Sequence, residues 1–207
     1  MQEKRGRLRR RWPIVATAYT AMLFAAYLWW VLQSPHQRLA VLWESSTDLS
    51  HLRHVPWLVL PASSLWSGHL IAYWAVVTLL CMGALELVRG PAVTLVTGLV
   101  AHVIGTVVSE GILAIRIAFG AVSSSATHLL DVGPSYIVAS CAAAVVASSR
   151  APRLVRLGCA VTLIPLLVTA FDADDASQVA SVGHGVAVLI GIAVARLPVR
   201  RPVAVAI

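Results

Sequence analysis

The sequence predicts an all-α, polytopic membrane protein, a bundle of six transmembrane helices. Three observations carry this. The hydrophobic fraction of the 207 residues is 58% and the charged fraction 12%, against about 45–50% and about 25% in soluble domains. Mean hydropathy is +0.81. The apolar residues gather into six runs, and a crossing takes about 20 of them. A soluble globule with so few charges could not cover its surface with polar groups. Disorder, a nucleic-acid-binding domain and an ordinary cytosolic enzyme are thereby excluded.

The first run, 13–33, follows six basic residues, Lys4, Arg5, Arg7, Arg9, Arg10 and Arg11. It is longer than the roughly 7–15-residue core of a signal peptide, and no small-x-small cleavage site follows, so it is expected to be an uncleaved span. The segment Ser34 to Ser64 carries Arg38, Glu44, Asp48, Arg53 and three histidines (His36, His51, His54). It also holds Trp43 and Trp57-Leu58-Val59-Leu60, too apolar for a free linker. Tryptophan favours the membrane interface, where this segment is expected to lie. The remaining runs are 65–87, 92–114, 133–149, 157–171 and 179–197. The expected organisation is a basic N-terminus over 1–12, one membrane domain over 13–197 and a short tail over 198–207. No repeat or low-complexity tract is visible.

Charge sets the expected orientation. The formal net charge is +7. With the N-terminus in the cytoplasm, the inner side holds 13 of the 16 Lys and Arg residues, including Arg89, Arg150, Arg153, Arg156, Arg196, Arg200 and Arg201. Arg38, Arg53 and Arg116 are left outside. This bias places both termini in the cytoplasm of a cell membrane. The acidic loop Asp172, Asp174 and Asp175 falls outside. Fifteen of the basic residues are Arg, a bias suggesting a GC-rich bacterial genome. Cys81, Cys141 and Cys159 each lie within an apolar run, which argues for buried small residues rather than disulfides. The histidines show no metal-ligand spacing, so no metal and no cofactor is expected.

Polar side chains within spans are costly and default to functional candidates. They are His69 and Glu86 in the second run, His102 and Glu110 in the third, Ser135 in the fourth and His184 in the sixth. His69, Ser135 and His184 fall near the outer ends of spans that enter from the same side. A serine hydroxyl needs an adjacent base, and histidine suits that role. Ser135 follows Gly133-Pro134, which predicts a helix N-terminus whose free N–H groups can stabilise an oxyanion. His102, Glu110 and Glu86 read as structural. Small residues recur every four positions at Ser135, Ala139, Ala143 and Ala147, and again at Gly183, Ala187, Gly191 and Ala195. Such stripes let two helices dock closely and bring Ser135 toward His184.

Four segments resemble the rhomboid family of intramembrane serine proteases. They are Leu65-Trp66-Ser67-Gly68-His69-Leu70, Gly83-Ala84-Leu85-Glu86 with Gly90, Gly133-Pro134-Ser135, and His184 with Gly191. The resemblance spans about residues 13–197. It implies Ser135 as nucleophile, His184 as base, His69 as oxyanion donor, and Ser34–Ser64 as a membrane-embedded loop. Tyr136 stands where the family has glycine after the serine, and Tyr73 where it has asparagine. Ala139 replaces the tyrosine that stacks on the catalytic histidine, and the first loop lacks a Trp-Arg pair. Gly133, Tyr136 and Tyr73 therefore join the oxyanion and substrate region, with Glu86 and Gly191 structural. Two readings stay open, a protease cutting a membrane protein's transmembrane segment and a pseudoprotease binding a client helix. Neither calls for nucleic acid, and the oligomeric state is not legible.

Overall fold

Each of the six apolar runs holds a helix among the described residues. The structure, a computed structural model, describes residues 12–168 and 174–198. In chain order the helices are α1 (Ile14–Val31), α2 (Pro35–Glu44), α3 (Leu49–His54), α4 (Pro56–Ser63), α5 (Ile71–Arg89), α6 (Pro91–Ala118), α7 (Ser135–Ala147), α8 (Arg153–Val168) and α9 (Asp175–Arg196). Short 3-10 turns occupy Gly68–Leu70 and Ser124–His128. No strand occurs among the described residues. Among the described residues, four helical segments are long and apolar enough to cross a membrane: α1, α5 with its preceding turn, α6 and α9. The other two runs form shorter helices, α7 of 13 residues and α8 of 16. The N-terminal basic run, Asp172, Arg200 and Arg201 lie outside the described residues.

Several sequence-based boundaries shift: α5 begins at Ile71 rather than 65, α6 runs on to Ala118 rather than 114, and α8 begins at Arg153 rather than 157. Helix α9 begins at Asp175 rather than 179 because Asp174 caps it, its carboxylate accepting the Ser177 N–H at 2.8 Å. Its polar first turn carries no hydrophobic signal. The segment expected as a loop contains α2, α3 and α4. Ser34 and Gln37 form a reciprocal cap on α2, and Asp48 accepts the His51 N–H at the start of α3.

Helix α1 buries only Ala16, Thr20, Leu23 and Trp30, one narrow stripe laid on α5. It has no acid in its first turn and no side-chain cap of its own. The Glu86 carboxylate, near the far end of α5, accepts the N–H groups of Val15 and Ala16 at 3.1 and 3.0 Å. An anion at a helix N-terminus satisfies orphan donors and opposes the helix dipole. The chain then turns at Gly90, whose φ of 92° suits glycine, into Pro91, the first residue of α6.

Helix α7 is the centre of the bundle. Every residue from Tyr136 to Val145 is buried, with α5, α6, α8 and α9 packed around it. The closest approach is to α9. A Cβ added at Gly191 would clash with the Ser140 carbonyl oxygen and come within 2.9 Å of the Ala143 side chain. Gly183, Ala187 and Gly191 are buried as the small-residue pattern predicts, opposite Ala139, Ser140 and Ala143. Two arginines close helix ends. Arg89 donates to the carbonyls of Val194 and Leu197 at 2.8 Å each, and Arg156 to that of Val146 at 2.9 Å. Cations there offset the negative end of the helix dipole.

Candidate active site at the head of the central helix

The turn into α7 is built by Gly133, at φ 134°. Its N–H donates to the Ser63 carbonyl at 2.8 Å, tying the turn to the end of α4. A Cβ at 133 would lie 3.6 Å from the Trp66 carbonyl oxygen, so the segment leading to His69 runs beside it. Pro134 is the N-cap residue and Ser135 the first residue of α7. No side chain caps this end. Ser135 is half-buried, and its hydroxyl has no hydrogen-bond partner among the described residues.

His184 lies in the third turn of α9 and is 4% exposed. Neither ring nitrogen makes a hydrogen bond of good geometry, although the Leu166 carbonyl of α8 faces the ring. What touches the ring is Tyr136, edge-to-face, with centroids 5.2 Å apart and planes at 78°. Tyr136 is 1% exposed and sits in a seat made by two glycines. A Cβ at Gly105 would lie 3.3 Å from the Tyr136 ring, and one at Gly183 would clash with it. The structure thus joins His184 to the residue after Ser135, and no Ser135–His184 hydrogen bond is present.

The other sequence candidates divide. His69 is exposed in the short turn before α5, and its ring packs edge-on against Trp30 at 5.1 Å, with no hydrogen bond to Ser135. Tyr73 is 37% exposed and stacks its edge on Trp74 at 5.2 Å. Glu86 serves the N-terminus of α1, and Gly191 the α7–α9 contact.

Three further polar residues lie near the site: His102 and Glu110, which the sequence marked as polar residues within a span, and Asp131, which it did not. His102 Nε2 lies 2.7 Å from the Leu60 carbonyl and 3.1 Å from Ser63 Oγ, fastening α4 to α6. Asp131 anchors the loop before α7. Its carbonyl accepts the Thr47 N–H at 3.0 Å, its N–H donates to Ser46 Oγ at 3.0 Å, and its carboxylate accepts the Thr47 hydroxyl at 3.2 Å and the Tyr136 hydroxyl at 3.4 Å. Burial raises the Asp131 carboxyl to about 6, against the opposing hydrogen bonds from Thr47 and Tyr136. Glu110, 1% exposed, has both carboxylate oxygens unpartnered. The signal for Asp131 was its isolation, as it is the only acid between Glu110 and Asp172. Among the described residues no group of three His, Cys, Asp or Glu side chains is placed to hold a metal ion.

A helical, multi-pass membrane protein with a serine heading its central helix and a histidine on the helix packed against it is the class these features define. A family model described as rhomboid-like protein matches residues 11–204, and the chain belongs to that family. Comparison with curated proteins and with solved structures found no match.

Proposed function

We propose that the protein is an intramembrane serine endopeptidase of six spans, acting in a bacterial cell membrane with both termini in the cytoplasm. Its substrate is the transmembrane segment of another membrane protein. The observation that carries this reading is the head of α7, where an unpartnered, half-buried serine sits at an uncapped N-terminus next to the residue that contacts His184. Helix α7, at 13 residues, rises about 20 Å, short of the roughly 30 Å hydrocarbon core. With its other end near one surface, its head lies recessed below the opposite one.

In the proposed reaction Ser135 Oγ attacks the scissile carbonyl and His184 accepts the serine proton. The oxyanion is held by the N–H groups of the first turn of α7, whose dipole favours negative charge. His69 is a second donor once its ring leaves Trp30. Collapse of the tetrahedral adduct breaks the C–N bond, and His184 returns the proton to the leaving amine. Water then hydrolyses the acyl-enzyme by the same route. The substrate helix must unwind locally, since a helical backbone keeps its carbonyls hydrogen-bonded.

A pseudoprotease that binds client helices is the second reading. It is favoured by the missing Ser135–His184 hydrogen bond and by the Tyr136 ring against His184. Fluorophosphonate labelling in native-like membranes separates the two. Labelling that disappears in Ser135→Ala supports the protease. A wild type that stays unlabelled beside a labelled active rhomboid sinks it and leaves the pseudoprotease.

A further inference from the structure

We propose that Asp131 is a positioning residue for His184, acting through the Tyr136 phenol. The inference rests on the protease reading above. His184 has no hydrogen bond of good geometry; what bears on its ring angle is the Leu166 carbonyl facing it and the edge of the Tyr136 ring at 5.2 Å. The glycines at 105 and 183 set where that ring lies. A phenyl group would fill the same seat, so packing alone does not call for a hydroxyl. A buried hydroxyl is costly unless it is paired; this one reaches back to the Asp131 carboxylate at 3.4 Å, with Ser109 of α6 beside it.

Asp131 is in turn fixed on three sides. Its backbone N–H, its carbonyl and its carboxylate are each bonded to Ser46 or Thr47. These two residues and Asp48 are buried at 0%, 1% and 1% exposure, so the anchor does not move freely with solvent. The chain of contacts runs from the Ser46–Asp48 corner to Asp131, then Tyr136, then His184. In the reaction its effect is to hold the imidazole at one angle while the proton passes to and from Ser135. The family's histidine-stacking position, Ala139, has no ring to offer. Tyr136, one helical position after the nucleophile, supplies one from a different place and needs an anchor of its own.

The test uses the full chain in lipid nanodiscs with isotope-labelled histidine, the His184 ring resonance being assigned by its loss in His184→Gln. Tyr136→Phe and Asp131→Ala are expected to shift or broaden that resonance. Both are expected to slow fluorophosphonate labelling by about tenfold, the order of losing one positioning hydrogen bond. Asp131→Asn keeps an oxygen that accepts from Tyr136 and Thr47, and is expected to rescue the resonance and the rate. Tyr136→Phe conserves the buried ring, so it carries the test if Asp131→Ala fails to fold. A His184 resonance identical to wild type in Tyr136→Phe overturns the proposal whatever the labelling shows. A responsive resonance in a wild type that never labels overturns the protease reading and leaves the positioning contact standing.

Discussion

Two glycines on one helix make the packing of the central pair measurable. Gly191 and Gly185 both lie on α9, and each exchange to alanine improves helix propensity by up to about 1 kcal/mol. At Gly185 an added Cβ meets nothing within 4 Å, so that gain is kept. At Gly191 the Cβ clashes with the Ser140 carbonyl oxygen and stands 2.9 Å from the Ala143 Cβ and 3.0 Å from the Ala144 nitrogen. Two of these three neighbours are backbone, which cannot swing aside. The helices must separate or shift, and overpacking of this kind costs about 1–3 kcal/mol. The expected net effect of Gly191→Ala is a loss of about 1 kcal/mol, and since the propensity gain is shared the two variants should differ by about 1–3 kcal/mol. For a chain of this size the net loss lowers Tm by about 2–4 °C, readable by circular dichroism in detergent micelles. Equal melting of Gly185→Ala and Gly191→Ala would refute the α7–α9 contact, and with it the seat that holds Tyr136 against His184.

Two further outcomes follow from single side chains. Glu86→Gln leaves the two N–H groups at the start of α1 facing a neutral amide, and is expected to cost about 1–2 kcal/mol in the same assay, with hydrogen exchange at Val15 and Ala16 accelerated. Asp131 has a folded-state pKa raised from 3.8 to about 6, so the folded chain holds its proton more tightly than the unfolded chain does. Its contribution to stability is fully present below the unfolded value and is lost as pH rises through about 6. The size is at most about 3 kcal/mol. Asp131→Asn should remove this slope, and a wild-type minus Asp131→Asn difference that stays flat between pH 4 and 7 counts against the burial of that carboxyl.

Hydropathy located a helix in each of the six apolar runs, because lipid-facing positions need apolar residues whatever their partners, and it missed α2, α3 and α4 in the segment expected as a loop. It located ends poorly where a helix starts on polar residues, as α9 does behind Asp174. The close approach of α7 and α9 was legible as well, since glycine and alanine every four residues leave a mark in one dimension. The chemistry at the head of α7 was legible in residue type and not in contact. Gly133-Pro134-Ser135 announces a helix start, yet which ring meets His184 depends on a rotation of one residue, from Ser135 to Tyr136, that periodicity does not resolve. His102 and Asp131 act on chain segments 42 and 84 residues away, at Leu60 and Thr47. Nothing local in the sequence reports pairings at that distance.

The inward stripe of α6 is polar, with Thr94, Thr97, His102, Thr106, Ser109 and Glu110 all buried. Helix α4 meets the stripe at His102; the stripe's main partners, α7 and α9, come later in the chain. A newly inserted α6 therefore presents this stripe to lipid, or to the protein that inserts it, until its own neighbours arrive. Polar groups in hydrocarbon are costly, so the early bundle is least stable in the interval between the synthesis of α6 and that of α9. Helix α9, the last among the described residues, completes the shelter for the third of the six apolar runs. A nascent chain stalled before α9 is thus the form that membrane quality control is best placed to recognise and degrade.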